Sequence, residues 1–410
     1  MNKINNNTAA EIASLDNNLK NQILLSVCKK LKQNTSQILA ANRIDLDFAA
    51  ANNLDSAKID RLKLTEEKII AIANSVADIS NFPDPVGKIL KQNKIAKNDL
   101  NIRKVSTPIG VIMVIYEARP NVTSDVAALC IKSGNASILK TGKESFHSSK
   151  AIAKIYCDVL EEFGLNKEII HFIEDISRDN VKKLLKMDKD IDLVIPRGSK
   201  NLIQFVSKYS KIPTLKHLDG NCHCYIEKTA DFQKALSVIY NAKMRRVSIC
   251  GATESLVIDK KIATEFLPLL VDKLSQSNCA LKGDAASCKI DSRIQKARNQ
   301  DYATEYLNKV ISIKIVNNIN EAIKHINKYG SGHTDCIITK NQTQADKFFK
   351  MIDSAIVMHN TSTQFADGGE FGLGAEIGIA TGRLHARGPV GADSLVTYKY
   401  LVDSNYSVRK

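Results

Sequence analysis

Tryptophan is absent from the 410-residue sequence, and phenylalanine and tyrosine bring the aromatic share to only 6%. Stacking platforms for a nucleic-acid groove are therefore not evident. The lysines behind the formal net charge of +14 are spread along the chain, with no block of five or six like charges. A small anionic ligand and a Lys-rich composition account for that excess better than a nucleic acid does. No uncharged apolar stretch approaches the ~18 residues of a membrane helix. The longest apolar run near the middle, Val111 to Ile115, suits a buried strand. The polar start, Met1 to Asn7, lacks the apolar core of a secretory signal. Nine cysteines, an odd number without repeating spacing, exclude a disulfide framework and point to a reducing, cytoplasmic setting. G-x-G-x-x-G after the first strand, G-x-x-x-x-G-K-[ST], H-E-x-x-H and G-x-S-x-G are all missing.

What remains is an ordinary globular composition, 44% hydrophobic and 25% charged. The length allows two domains at roughly 100–200 residues each. The first 80 residues carry helical apolar spacing, as in Ile23, Leu24, Val27, Leu31 and again Ile69, Ile70, Ile72, Ala73, Val76. Pro83 and Pro85 end that region. From 100 onward strands and helices alternate: strands at 100–105, 111–116, 136–140, 169–173 and 191–195, with helices at 122–133, 144–163, 178–186 and 199–208. A second alternating block follows Gly220, with strands at 222–226, 255–258, 310–316, 337–339 and 355–358. This pattern predicts an α/β fold, two Rossmann-like three-layer halves with parallel sheets.

Two turns carry candidate chemistry. Lys140-Thr141-Gly142-Lys143 ends a strand just before a helix, either an anion cradle or an ordinary βα turn. Cys250 lies in Arg245-Arg246-Val247-Ser248-Ile249-Cys250-Gly251. Neighbouring cations favour a thiolate, and Gly251 permits close approach, although a free cysteine is commonly a small buried apolar residue. Cys222-His223-Cys224 has no second pair at structural-zinc spacing, so no metal is expected.

Tyr116-Glu117-Ala118-Arg119-Pro120-Asn121-Val122-Thr123 is more specific. This segment resembles the signature of the gamma-glutamyl phosphate reductases (glutamate 5-semialdehyde dehydrogenases), a branch of the aldehyde dehydrogenase superfamily. The resemblance continues through Lys132 to Ala136, Ile195-Pro196-Arg197-Gly198, Gly220 to His223, Ser331 to Asp335, Phe371 to Glu376 and His385 to Pro389. It implies an aldehyde-dehydrogenase-like fold with small oligomerisation arms. It implies NADPH-dependent reduction of L-glutamyl 5-phosphate to L-glutamate 5-semialdehyde and phosphate, in proline biosynthesis. Cys250 stands at the family nucleophile, with its own N–H and the Asn121 side chain as oxyanion donors. Lys140, Thr141, Gly142 and Lys143 match the adenosine-ribose region, Gly198 and Ser199 the pyrophosphate turn, and Glu305 the nicotinamide-ribose carboxylate. Arg119, Arg387 and Gln364 are expected at the substrate. Glutamate 5-kinase is the implied pathway partner, beside a homo-oligomer.

The resemblance also sets domains: 1–221 for the cofactor, with an arm at 97–109, 222–373 for catalysis, and 374–410 returning to the first domain and the oligomer interface. Departures are Gly251 for a usual Asn, Gln364 for a usual Arg, Val247 for Pro, and Ser199 and Thr141 for Gly. They motivate a rival reading, an impaired family member that binds nucleotide or assembles with a partner. Another rival, an oxidising aldehyde dehydrogenase, is discouraged because the water-activating Glu of hydrolytic relatives has no clear match near 217–220.

Overall fold

The computed structural model describes residues 6–95, 99–216, 219–373 and 375–409. The chain divides into two compact units, the first comprising Met1–Lys216, Gly372–Gly378 and Val390–Lys410. It opens with five helices, α1 (Asn6–Ala13), α2 (Asn17–Gln33), α3 (Thr35–Ala51), α4 (Ser56–Leu62) and α5 (Glu66–Asn81). Ile23, Leu24, Val27 and Leu31 of α2 and Ile69, Ile72, Ala73 and Val76 of α5 are all buried. Apart from Ile70, which is exposed because it points off that stripe, the face read from their spacing is the packed one. α5 stops at Asn81, where Phe82 and Pro83 take over.

Then come β1 (Ile89–Ile95), β2 (Leu100–Pro108), β3 (Val111–Tyr116), α6 (Pro120–Lys132), β4 (Ala136–Thr141) and α7 (Phe146–Glu162). β5 (Ile170–Phe172), α8 (Arg178–Leu184), β6 (Leu193–Arg197) and α9 (Lys200–Tyr209) follow. β3 to β6 form a parallel sheet in the order β5-β4-β3-β6. All six residues of β3 and of β4 are buried, as a sheet covered on both faces requires. The strand order reverses between β3 and β6, which makes the loops at their carboxyl ends a topological switch point.

The second unit comprises His217–Phe371 and Ile379–Pro389. It contains β7 (Cys222–Ile226), α10 (Phe232–Met244), β8 (Thr253–Asp259), α11 (Lys260–Ser275), β9 (Ala280–Gly283), α12 (Ala285–Ile290), β10 (Gln295–Lys296) and β11 (Val310–Val316). After them come α13 (Ile319–Tyr329), β12 (Thr334–Ile338), α14 (Gln342–Met351), β13 (Ile356–His359), β14 (Ile379–Ala380) and β15 (Gly388–Pro389). Seven of these strands make a parallel sheet, β10-β9-β11-β8-β7-β12-β13. Alternate residues serve opposite faces. Leu256 and Ile258 of β8 pack with Phe266, Leu267 and Leu270 of α11, whereas Val257 packs with Ile323 and Phe348 of α13 and α14.

Some expectations shift. The strand placed at 337–339 begins at Thr334, because Asp335 is buried to accept the His223 backbone N–H and the Ser354 hydroxyl. The second unit starts at 217 instead of 222. The segment from 374 does not return whole: 379–389 stays with the second unit, tied there by the β14–β15 pair and by Arg387 on Asp353. Finally β16 (Val396–Asp403) pairs antiparallel along β2, with β1 on the other side. Of the arm expected at 97–109, β2 holds residues 100–108; Lys97 and Asn98 lie outside the described residues. Gly374 lies outside them too. Among the described residues no helix is long and apolar enough to cross a membrane.

Candidate active site

The switch point of the first unit gathers three expected segments. Lys140 is the penultimate residue of β4, nearly buried, and burial lowers its pKa against the pull of Glu144, Glu117 and Asp175. Lys140 thus sits partly desolvated among three carboxylates. Thr141 is buried and shares a 2.5 Å hydrogen bond with Ser145. It therefore braces the turn, with Gly142 half-buried and Lys143 exposed beside it. A Cβ on Gly142 would lie 2.3 Å from a Glu144 carboxylate oxygen, and that carboxylate accepts the Ala118 N–H at 2.7 Å.

After β6, Ser199 caps α9 by accepting the Leu202 N–H. The Ser199 N–H itself donates to Glu117 Oε2 at 2.7 Å. A Cβ on Gly198 would sit 2.5 Å from that same oxygen. A carboxylate oxygen thus rests where a helix start presents N–H groups to anions, and only glycine leaves room for it. Glu117 and Glu144 were missed by sequence reasoning. Their signal was available in the motif 116–123 and in the turn after Lys140, but attention fell on the cations.

Arg119 is half-buried at the start of α6, ahead of Pro120 in the first turn. Asn121 donates its Nδ2 to Asp125 Oδ2 at 3.0 Å, one helical turn on. Burial raises the Asp125 carboxyl to about 6, against Asn121 and Arg197. One carboxamide proton of Asn121 is thereby fixed, which orients the other.

In the second unit Cys250 lies half-buried in the turn between α10 and β8, closed by the Ala252 N–H on the Ile249 carbonyl. This turn is at the amino end of the sheet, where β7 also begins. Gly220 backs it: a Cβ there would lie 2.2 Å from the Cys250 carbonyl oxygen and 2.7 Å from its Cα. The Cys222 thiol sits 3.1 Å from the same oxygen. On the other side, a Cβ on Gly251 would come within 3.1 Å of the Thr363 carbonyl. The Cys250 backbone is therefore held between Gly220 and the 363–366 turn. Neither neighbour is apparent from sequence distance.

Four residues past the cysteine, Glu254 forms a fully buried ion pair with Lys243. Its other oxygen accepts the Leu307 N–H at 3.2 Å. Burial pushes this carboxyl up to about 7, and Glu305 adds to the push. The same Glu305 charge also raises the buried Cys222 thiol, so Glu305 belongs to the electrostatic surroundings of the cysteine turn.

Two expected substrate residues have partners within the second unit. Arg387 donates Nη1 to the Asp353 carboxylate at 2.7 Å and Nη2 to the Asp353 carbonyl at 2.6 Å; it anchors its loop. Gln364 is buried and caps the end of α10, donating to the carbonyls of Asn241 and Ala242 and accepting from Arg245 Nε at 3.0 Å. Among the described residues no group of three or more His, Cys, Asp or Glu side chains is arranged to hold a metal.

Known proteins give this geometry its context. The aldehyde dehydrogenase family model matches residues 20–304 and 295–375. A gamma-glutamyl phosphate reductase of a Nitratiruptor species is 47% identical over 403 residues, covering 98% of both chains. The chain belongs to the gamma-glutamyl phosphate reductases of the aldehyde dehydrogenase family. It is thus an oxidoreductase of a family that uses nicotinamide cofactors. The gamma-glutamyl phosphate reductase of Rhodospirillum rubrum is 49% identical, covering 93% of this chain and 90% of its own. The crystal structure of the Thermotoga maritima gamma-glutamyl phosphate reductase superposes with a TM-score of 0.96 at 39% identity, covering 99% of this chain and 98% of that one.

Proposed function

We propose that the protein reduces L-glutamyl 5-phosphate to L-glutamate 5-semialdehyde and phosphate in proline biosynthesis, with NADPH as reductant and Cys250 as nucleophile. The observation that carries this reading is the braced turn of Cys250 in a chain whose relatives at 47% and 49% identity bear that enzyme's name. The Cys250 thiolate attacks the acyl carbon, a carbon–sulfur bond forms, and the carbon–oxygen bond to phosphate breaks. During attack the acyl oxygen gains charge. The Cys250 N–H and the second carboxamide proton of Asn121 are the donors assigned to it. A bound nicotinamide would supply the hydride that the acyl carbon takes up, after which the Cys250 sulfur would leave and the aldehyde be released.

The chain's own residues fit such a cofactor. Lys140 and Lys143 with the 141–142 turn take its adenosine end, Gly198 and the Ser199 N–H its diphosphate, and Glu305 its second ribose. Glu117 Oε2 now occupies the Ser199 N–H at 2.7 Å, so a diphosphate bound there would have to displace that carboxylate. Arg119 remains assigned to the substrate. The sheet of β1, β2 and β16 exposes Ile89, Leu90, Tyr398, Tyr400 and Val402 and is assigned to homo-oligomer contacts.

The test runs the reaction backward. Glutamate 5-semialdehyde, phosphate and NADP should yield reduced cofactor, and Cys250→Ser should abolish it. Equal turnover without phosphate would refute the reading in favour of a hydrolytic aldehyde dehydrogenase.

A further inference from the structure

Beside the cysteine turn, wholly within the second unit, lies a cavity of about 420 Å³. Its lining includes Ser237, Asn241 and Arg245 at the end of α10, Ser362 and Gln364 on the turn that abuts Gly251, and Glu370. We propose that this cavity is the subsite for the α-amino-acid head of the substrate, with Arg245 binding the α-carboxylate and Glu370 the α-ammonium. The proposal rests on the function assigned above and deepens it, since nothing in that reading says which groups select glutamate over a plain aldehyde.

Charge is the first argument. An α-amino-acid head is a zwitterion, and the cavity offers one guanidinium and one carboxylate with neutral hydrogen-bonding side chains alongside. Among the described residues neither Arg245 nor Glu370 is in an ion pair, so both charges are free for a ligand. A site for an apolar aldehyde would need neither.

Orientation is the second. Arg245 Nε donates to Gln364 Oε1 at 3.0 Å. The Gln364 amide nitrogen is in turn fixed on the backbone carbonyls of Ala242 at 2.9 Å and Asn241 at 3.2 Å. The guanidinium plane is therefore set by backbone, and the two Nη nitrogens are left for a bidentate carboxylate. Gln364 is then a positioning residue, in place of the direct substrate contact expected of it. Location is the third. Arg245 precedes Cys250 by five residues, and the 362–366 turn both lines the cavity and meets Gly251. One rigid wall thus serves the head-group subsite and the nucleophile.

Two measurements test this. L-Glutamate, which carries the head group, is titrated calorimetrically into Cys250→Ser protein. Binding that weakens roughly 10- to 100-fold in Arg245→Ala and in Glu370→Gln is the expected result, the size of a lost charged hydrogen bond. Equal binding in those variants, or none in the parent, overturns the proposal. In the backward reaction, both variants should raise KM for glutamate 5-semialdehyde by a similar factor while KM for phosphate holds. Gln364→Ala should do so more weakly, and Gln364→Glu, which cannot donate to the Ala242 and Asn241 carbonyls and would pair with Arg245 itself, should weaken binding as well. An increase in both KM values together, or a fall in kcat alone, would mean a structural role and sink the assignment. Because the calorimetry needs no turnover, failure of the reductase reading and failure of the subsite are distinguishable.

Discussion

Gly220→Ala puts one methyl group behind the nucleophile. The new Cβ would start 2.2 Å from the Cys250 carbonyl oxygen, 2.7 Å from its Cα and 2.8 Å from its carbonyl carbon. Real Cβ contacts essentially never fall below 3.0 Å, so roughly 0.8 Å of movement is required. The strand side is poorly placed to supply it. Cys222 N–H closes on the Gly220 carbonyl at 2.8 Å, and Asn221 is fixed by its Nδ2 on the carbonyls of Tyr302 and Tyr329, both at 2.8 Å. The cysteine turn therefore moves. A reacting group misplaced by ~1 Å loses about 100-fold in rate, and its N–H leaves the oxyanion position with it. Overpacking costs about 1–3 kcal/mol of stability, which a 410-residue chain should survive. The check is kcat/KM in the backward reaction beside a urea midpoint and the rate of Cys250 alkylation by iodoacetamide. A folded Gly220→Ala protein with activity within threefold of the parent would refute the packing argument.

Asn121→Ala should lower kcat by roughly 10²–10³-fold with little change in KM, the ordinary cost of one oxyanion donor, read by steady-state kinetics. Lys243→Met strands the buried Glu254 carboxyl and should cost about 3–5 kcal/mol in denaturant unfolding, much of it recovered when Glu254→Gln is added. His325 is buried, and desolvation with His223 nearby lowers its pKa to about 3. The unfolded chain takes up that proton below about 6.5 and the folded chain does not, so stability falls as pH drops. Urea unfolding at pH 5 and pH 7.5 should show about 2 kcal/mol less acid loss in His325→Gln than in the parent. An unchanged pH dependence would contradict it.

The first-unit sheet was readable because β3, β4 and β6 are apolar runs flanked by helical spacing, and a parallel sheet buried on both faces demands such runs. β9 escaped because Ala280-Leu281-Lys282-Gly283 has only one strongly apolar residue, and its place in the sheet is set by β11. The site divides the same way. The position of Lys140 at a strand end was legible from a local signal, whereas Gly198 and Ser199 were singled out by resemblance alone. The internal partners of Arg387 and Gln364 were not legible because they are distant: Asp353 lies 34 residues before the arginine, and Gln364 closes on α10 across more than 100 positions. An arginine or glutamine in a strong motif looks the same in sequence whether it meets a ligand or a carbonyl. Only the fold assigns the acceptor.

Glu254 bears most directly on the fate of a thioester at Cys250. It is four residues from the nucleophile, and its carboxyl, pushed up to about 7, has the proton affinity a water-activating base needs near neutrality. A base also needs an oxygen free to accept from water. Here one oxygen is held by Lys243 in a fully buried pair and the other by the Leu307 N–H. The same bonds join the end of α10, the start of β8 and the segment carrying Glu305, so releasing the carboxylate would loosen the turn it supports. Proton affinity alone would have named Glu254 a hydrolytic base. Its hydrogen bonds make it a brace instead, which accords with the proposal that an acyl group on Cys250 is resolved by hydride.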